Sequence, residues 1–301
     1  MRILSVRHIT TYRYKQPVGF GEHRMMLCPR DDHDQRLLEL NLAICPKPAE
    51  LRWSRDDFGN PIAIARFSGR AASLRFDCSF RLEHSSAPGP DIDQADFGQS
   101  YPFIYGAKDM LHLLPFIERG YADPEHRLGE WADRFLRLGE STSAYGLLKS
   151  FTRGIHESFK YKSRPEKGIQ DPLFTLEAGS GSCRDLAVLM IEAVRSLGMA
   201  ARFVSGYLHV RNSVDACARG GNTHAWAQVF LPGSGWVDFD PSCGVTGNRD
   251  LIRAAVACDP SQAIPLQGVW IGRPTDNMDM AVEVQVSATD AQETERVAAQ
   301  A

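Results

Sequence analysis

A cysteine, a histidine and an aspartate occur in that order at junctions suited to chemistry. Cys183 follows a Gly/Ser-rich turn in "GSGSCRDLAVLMIEAVRSLG", His224 opens "GNTHAWAQVF", and Asp240 closes "GWVDFDPS". A thiolate is a strong nucleophile, but it needs a neighbouring base and usually a group that orients that base. The three residue types together are those of covalent acyl chemistry.

The elements that must carry these residues are readable from pattern. Leu186, Leu189, Met190, Ala193, Val194 and Leu197 recur at i, i+3, i+4 and i+7, and Gly198 suits a helix stop. Cys183 therefore falls at the cap or in the first turn of a buried helix. Free N–H groups and the helix dipole there stabilise an anion such as a thiolate. The glycines of "GSGS" allow close approach of backbone, whose N–H groups can face an oxyanion. On position alone a buried structural cysteine fits this site as well, and His224 and Asp240 shift the balance toward catalysis.

"HAWAQVFL" and "GWVDFDP" read as two strands joined through "PGSG". A four-residue loop would place Asp240 opposite Ala227, on the wrong face for His224. An odd loop or a bulge would place it opposite Trp226 and diagonal to His224, at about 7–8 Å between backbones. An odd loop or a bulge is therefore expected, with Asp238 as the rival orienter. Ser182, Asn222 and Trp226 flank these positions and are candidate substrate contacts.

These segments resemble the bacterial transglutaminase-like superfamily, with its papain-like core and Cys–His–Asp triad. The N-terminal "RHITTYRYKQPVGFGEHRMMLCPR" and the "DDFGN" turn are similar to the β-rich domain that precedes that core in many bacterial members. The resemblance implies Cys183 as nucleophile, His224 as general base and acid, and Asp240 as orienter. It implies an amide-cleaving or transglutaminating enzyme that works through a thioester on a peptide or protein substrate, with no metal or organic cofactor. Arg184 and Asp185 complete the family's C-R-D signature, and Asp185 reads more simply as a helix-dipole partner. Ser242 stands where a Thr commonly follows D-P, and keeps the hydroxyl. Arylamine N-acetyltransferases and peptide N-glycanases share the order of the triad, but the cysteine signatures of those families are missing. A binding-only member with a blocked cleft is the non-enzymatic alternative.

The expected fold is α+β: an N-terminal antiparallel β-sandwich, then a cysteine-led helix packed on an antiparallel sheet. In "SLRFDCSFRLE", Leu74, Phe76, Cys78, Phe80 and Leu82 share one face. "HSSAPGPDIDQADFGQS" breaks the pattern. The expected division is a β domain over 1–98, a linker over 99–122, a catalytic domain over 123–288 and a polar tail over 289–301. Leu148, Phe151, Ile155 and Phe159 form a helical stripe.

Composition narrows the class. The chain has 301 residues, a net charge of −3 and 24% charged residues, without the basic balance of a nucleic-acid-binding domain. Neither a signal peptide nor an apolar span of membrane length stands out, so a cytoplasmic protein without a membrane partner is expected. Seven cysteines, odd in number and without C-x-x-C, argue against a disulfide framework or a zinc cluster, so most should be reduced. The "DDHD" run at 31–34 reads as a solvated turn rather than a metal site, and His8 and His23 as structural.

Overall fold

The N-terminal strands obey their alternation. The computed structural model describes residues 2–85, 100–136, 142–164, 166–210, 223–247 and 249–290. Strand β1 (Arg2–Met25) is followed by β2 (Gln35–Cys45), β3 (Glu50–Arg55), β4 (Pro61–Arg66) and β5 (Arg70–His84). On β5 the residues Leu74, Phe76, Cys78, Phe80 and Leu82 are all buried, as period two requires.

The helical half follows. After the two-residue strand β6 (Ser100–Tyr101) come α1 (Ala107–Ile117), α2 (Arg127–Asp133), β7 (Thr142–Ser143) and α3 (Ala144–Ser158). Leu148, Phe151 and Ile155 of α3 are fully buried, and Phe159 packs against the same core. Then β8 (Lys160–Tyr161), α4 (Pro172–Ala178) and β9 (Ser180–Gly181) lead into α5 (Cys183–Ser196).

A five-stranded sheet receives α5. It contains β10 (Ala201–Leu208), β11 (His224–Leu231), β12 (Gly235–Asp240), β13 (Val245–Thr246) and β14 (Leu251–Ala257), in the order β13-β12-β11-β10-β14. Leu186, Leu189, Met190, Ala193 and Val194 of α5 belong to one core with Ala225, Ala227 and Val229 of β11. Burying such a side chain contributes roughly 1.5–3 kcal/mol.

The remaining strands, β15 (Leu266–Ile271) and β16 (Asn277–Asp290), both pair with β1. The N-terminal strands and these two form one seven-stranded sheet, with the path β2-β5-β1-β4-β3. The order is the expected α+β one, an antiparallel N-terminal sheet followed by a cysteine-led helix on an antiparallel sheet. β1 is 24 residues long, and its register shifts between Arg13 and Val18, so one strand carries partners at both of its ends. The chain returns to its first sheet at Leu266, inside the segment 123–288. Helix α1 occupies much of the expected linker 99–122, and it buries Leu113 in a cluster with Tyr105. Most of "HSSAPGPDIDQADFGQS" (86–99) and the tail beyond 290 lie outside the described residues.

The two sheets share a seam. Tyr207 of β10 and Ile252 and Ala254 of β14 pack into the core of the N-terminal sheet. The Tyr207 hydroxyl donates to the Leu27 carbonyl at 2.8 Å, and its oxygen lies 3.1 Å from His8 Nδ1. Asn60 bonds the backbone of Val256 in both directions, at 2.7 and 2.9 Å. His8 is thus a structural residue, and burial pushes its imidazole down to about 4. His23 is packed among Phe20, Phe67 and Phe76.

Candidate active site

The turn into α5 places Cys183. Helix α4 ends at Gly179, whose φ of 58° is the left-handed conformation that glycine accepts most readily. The chain then runs beside β8 as the parallel strand β9, with Lys160 N–H to Gly179 O and Lys162 N–H to Gly181 O, both 2.8 Å. Cys183 is the first residue of α5 and is 7% exposed.

Asp185 fixes this turn. Its carboxylate accepts the Ser182 N–H at 2.8 Å, the Ser182 hydroxyl at 2.7 Å and the Gln170 N–H at 2.8 Å. Arg164 adds a two-pronged ion pair at 2.8 and 3.0 Å. Burial would raise this carboxyl, but Arg164 and the hydrogen bonds hold it below the usual range. Asp185 is therefore the clamp of the helix start. The Ser182 hydroxyl is committed to that clamp rather than turned to a substrate.

His224 and Asp240 meet across a hairpin. Leu231 pairs with Gly235, which leaves a three-residue turn, Pro232–Gly233–Ser234. The odd turn puts Asp240 on the face of His224, as the parity argument requires. His224 Nε2–H donates to Asp240 Oδ2 at 2.6 Å. Asp240 Oδ1 accepts from the Ser242 N–H at 3.0 Å, the Ser242 hydroxyl at 2.7 Å and the Cys243 N–H at 3.2 Å. The hydroxyl at 242 thus serves the aspartate directly. Burial would raise the Asp240 carboxyl, but His224 and these donors hold it low.

The Cys183 sulfur also acts on the imidazole electrostatically. Burial disfavours its charge, yet the Asp240 carboxylate and then the Cys183 sulfur outweigh burial and lift His224 from 6.5 to about 10. His224 is thus an imidazolium near neutral pH.

Tyr161 was not singled out by sequence. Its pairing with Gly181, two residues before Cys183, brings the phenol close enough to the sulfur for the two to interact electrostatically. Burial, then the sulfur, pushes Tyr161 up to about 12, so it remains a proton donor. The signal available in the sequence was an aromatic residue just before the polar loop "KSRPEKGIQDP", with nothing to link it to a residue twenty-two positions away.

Trp226 does not line a cleft. It is fully buried, stacked on His224 with centroids 6.0 Å apart, and its Nε1–H donates to Asp238 Oδ1 at 2.6 Å. The rival orienter Asp238 is thereby bound to Trp226 and Arg253, not to His224. Asn222 lies outside the described residues.

The chemistry of the donor atoms does not suit a metal here. His224, Asp240 and Cys243 offer atoms within 4.8 Å of one another, with the Cys243 sulfur 3.9 Å from His224 Nε2. Cys243 is disulfide-bonded, unlike the five free cysteines 28, 45, 78, 183 and 258, and so has no thiolate to give. Five of the seven cysteines are free, in line with the expectation that most are reduced, and Cys217 lies outside the described residues. The Asp32–His33–Asp34 group faces the Arg253 guanidinium, which repels a cation. A surface groove of about 470 Å³ on the N-terminal sheet is lined by Arg7, Arg81 and Asn41 among others, and no triad residue touches it.

Comparisons with known proteins agree with this fold. Residues 4–83 match the bacterial transglutaminase-like N-terminal region, and residues 131–241 match the transglutaminase-like superfamily core. The chain belongs to the transglutaminase-like superfamily. It is 36% identical over 284 residues to an uncharacterized protein of Mycobacterium leprae, covering 93% of this chain and 98% of that protein. It is 31% identical over 102 residues to a protein-glutamine gamma-glutamyltransferase of Pseudomonas aeruginosa, covering 31% of this chain and 15% of that protein. A candidate cysteine protease from Cytophaga hutchinsonii shares the fold, with a TM-score of 0.68 at 18% identity over 96% of this chain and 92% of that one. No helix among the described residues of this superfamily member is long and apolar enough to cross a membrane.

Proposed function

We propose that this protein cleaves or exchanges amide bonds of a peptide or protein substrate through a thioester on Cys183. The reading is supported by the 2.6 Å bond between His224 and Asp240, together with Cys183 as the first residue of α5. The Cys183 thiolate attacks the carbonyl carbon, forming a C–S bond and a tetrahedral oxyanion. In this reading the first-turn N–H groups of α5 and the Tyr161 hydroxyl donate to that oxygen. His224 then protonates the departing nitrogen, the C–N bond breaks, and a thioester remains. His224 takes a proton from the next nucleophile, which displaces the sulfur. Asp240 holds the ring and its charge throughout.

Water as that nucleophile gives a hydrolase, and a primary amine gives a transglutaminase. The likeness of one segment to a protein-glutamine gamma-glutamyltransferase makes glutamine-containing peptides the first substrates to try. The test is a peptide library incubated with and without a primary amine and read by mass. Products that depend on Cys183 support the reading, and their masses separate hydrolysis from transfer. Identical product sets from the wild type and Cys183→Ala would overturn it.

A further inference from the structure

Four buried side chains connect the N-terminal sheet region to the histidine. The Trp226 indole stacks on His224 at an interplanar angle of 25°. Its N–H donates to Asp238 Oδ1, and Asp238 Oδ2 accepts from Arg253 Nη1 at 3.1 Å. The Nη2 of the same guanidinium bonds Asp34 Oδ1, at the start of β2. Trp226, Asp238, Arg253 and Asp34 are each no more than 4% exposed.

The backbone of Arg253 is tied to the same N-terminal segment. Its N–H donates to Gln35 Oε1 at 3.0 Å, and its carbonyl accepts from Gln35 Nε2 at 2.8 Å and the Arg30 N–H at 3.0 Å. Asp32 lies 3.8 Å from the guanidinium. A buried guanidinium with two carboxylate partners has one low-energy place to sit, because losing either partner strands a charge. Its partner Asp238 is held in turn, and with it the N–H of the indole. The imidazole plane packs against that fixed surface.

We propose that Asp34 is a positioning residue for the catalytic pair: acting through Arg253, Asp238 and Trp226, it holds the His224 ring at the angle that Cys183 requires. The N-terminal region is then part of the working site rather than a separable module. Fixed outer partners of catalytic groups commonly matter at this level, and small misplacements are costly. The inference rests on the proposed function, since it assumes that the Cys183–His224 pair is reactive.

The test uses the full chain and iodoacetamide, with alkylation of Cys183 read by mass at pH 7 against alkylation of Cys258. Asp34→Ala and the isosteric Asp34→Asn should slow Cys183 about tenfold or more, while Cys258 is unaffected. Asp34→Glu, which keeps the charge, should recover most of the rate. Trp226→Phe, which removes the indole N–H bond and part of the ring stacked on His224, should slow it in the same direction. Should Asp34→Ala fail to fold, Asp34→Asn and Trp226→Phe decide. A folded Asp34→Asn protein with a lower melting temperature and a wild-type Cys183 rate would overturn the inference, because Asp34 would then be structural only. A wild-type Cys183 that reacts no faster than Cys258 would overturn the proposed function first, and this inference with it.

Discussion

His224 and Asp240 share a 2.6 Å hydrogen bond because three residues, not four, separate the paired positions Leu231 and Gly235. Side chains alternate across a strand, so a shift of one residue would turn the Asp240 carboxylate, and Asp238 with it, to the face opposite the ring. Asp240→Asn keeps the shape and removes the charge that holds the imidazolium. Turnover should fall roughly 100- to 10,000-fold, as for orienting carboxylates of other triads. Wild-type turnover in this variant, measured on whichever peptide the wild type consumes, would refute the orienting role.

The same pair sets a dependence of stability on pH. The His224 value rises on folding, from 6.5 to about 10. A group raised on folding contributes stability that is fully present below its unfolded value and lost as pH rises through its folded value. The wild type should therefore be more stable than Asp240→Asn at pH 6, and the gap should close on the way past pH 10. Urea midpoints at pH 6, 8 and 10.5 would show this. A gap that widened with pH would mean that the ring is neutral in the folded protein.

The legible parts of the fold were those in which one face is buried and the other is wet. Leu74 to Leu82 on β5 and Leu186 to Leu197 around α5 carry clean periods. Strand β14 carries none, because all seven of its residues are buried, and "LIRAAVA" reads as apolar apart from Arg253. Helix α1 exposes Leu111 and Leu114 and contains Pro115, so its pattern is poor. The return of β15 and β16 to β1 is a pairing across more than two hundred residues, on which local pattern is silent. The triad was legible because each member sits at an element boundary with turn residues beside it. Tyr161 and Arg253 were not, since their importance lies in what the tertiary fold places against them.

Cys183 should be alkylated faster than every other cysteine near pH 7, although it is buried and Cys45 is exposed. Access alone favours Cys45, so the order of the two rates separates activation from accessibility. Cys183→Ala should abolish that labelling and all turnover while leaving the circular dichroism spectrum unchanged, because alanine suits the first turn of a helix. Labelling led by Cys45 would remove the case for an activated thiol.

Tyr161→Phe deletes one hydroxyl next to the sulfur. If that hydroxyl stabilises the oxyanion, kcat should drop by roughly 100-fold with little change in KM. A rise in KM at constant kcat would instead make Tyr161 a contact for bound substrate.

Asp185→Ala should be costly to the fold. It strands the Arg164 guanidinium and leaves the Ser182 and Gln170 N–H groups without their partner. Breaking a buried pair in this way costs about 3–5 kcal/mol. Chemical denaturation should show the loss, and it should shrink in acid. The Asp185 carboxyl is held low in the fold, so its contribution is lost as pH falls through the folded value. A loss of activity with unchanged stability would assign Asp185 to the chemistry instead.

The last prediction concerns a residue that touches no reactant. Gly206 of β10 pairs with His224 on one side and with Arg253 on the other. A Cβ there would fall on the Ile252 carbonyl oxygen and reach within 2.9 Å of Trp226 Cη2. The register of β10 against β14 shifts at this point, between Ser205 and Gly206, which brings the two backbones close. The obstacle to a side chain is space, and a backbone carbonyl cannot rotate aside as a flexible side chain can. Gly206→Ala should therefore push β14 from β10 or tilt the indole, at a cost of at least about 1–3 kcal/mol. Tilting the indole disturbs the surface on which His224 packs, so alkylation of Cys183 should slow along with the loss of stability. An alanine variant that melts like the wild type and labels Cys183 at the wild-type rate would show that the two strands are not closely joined there, and that the imidazole does not depend on the indole for its place.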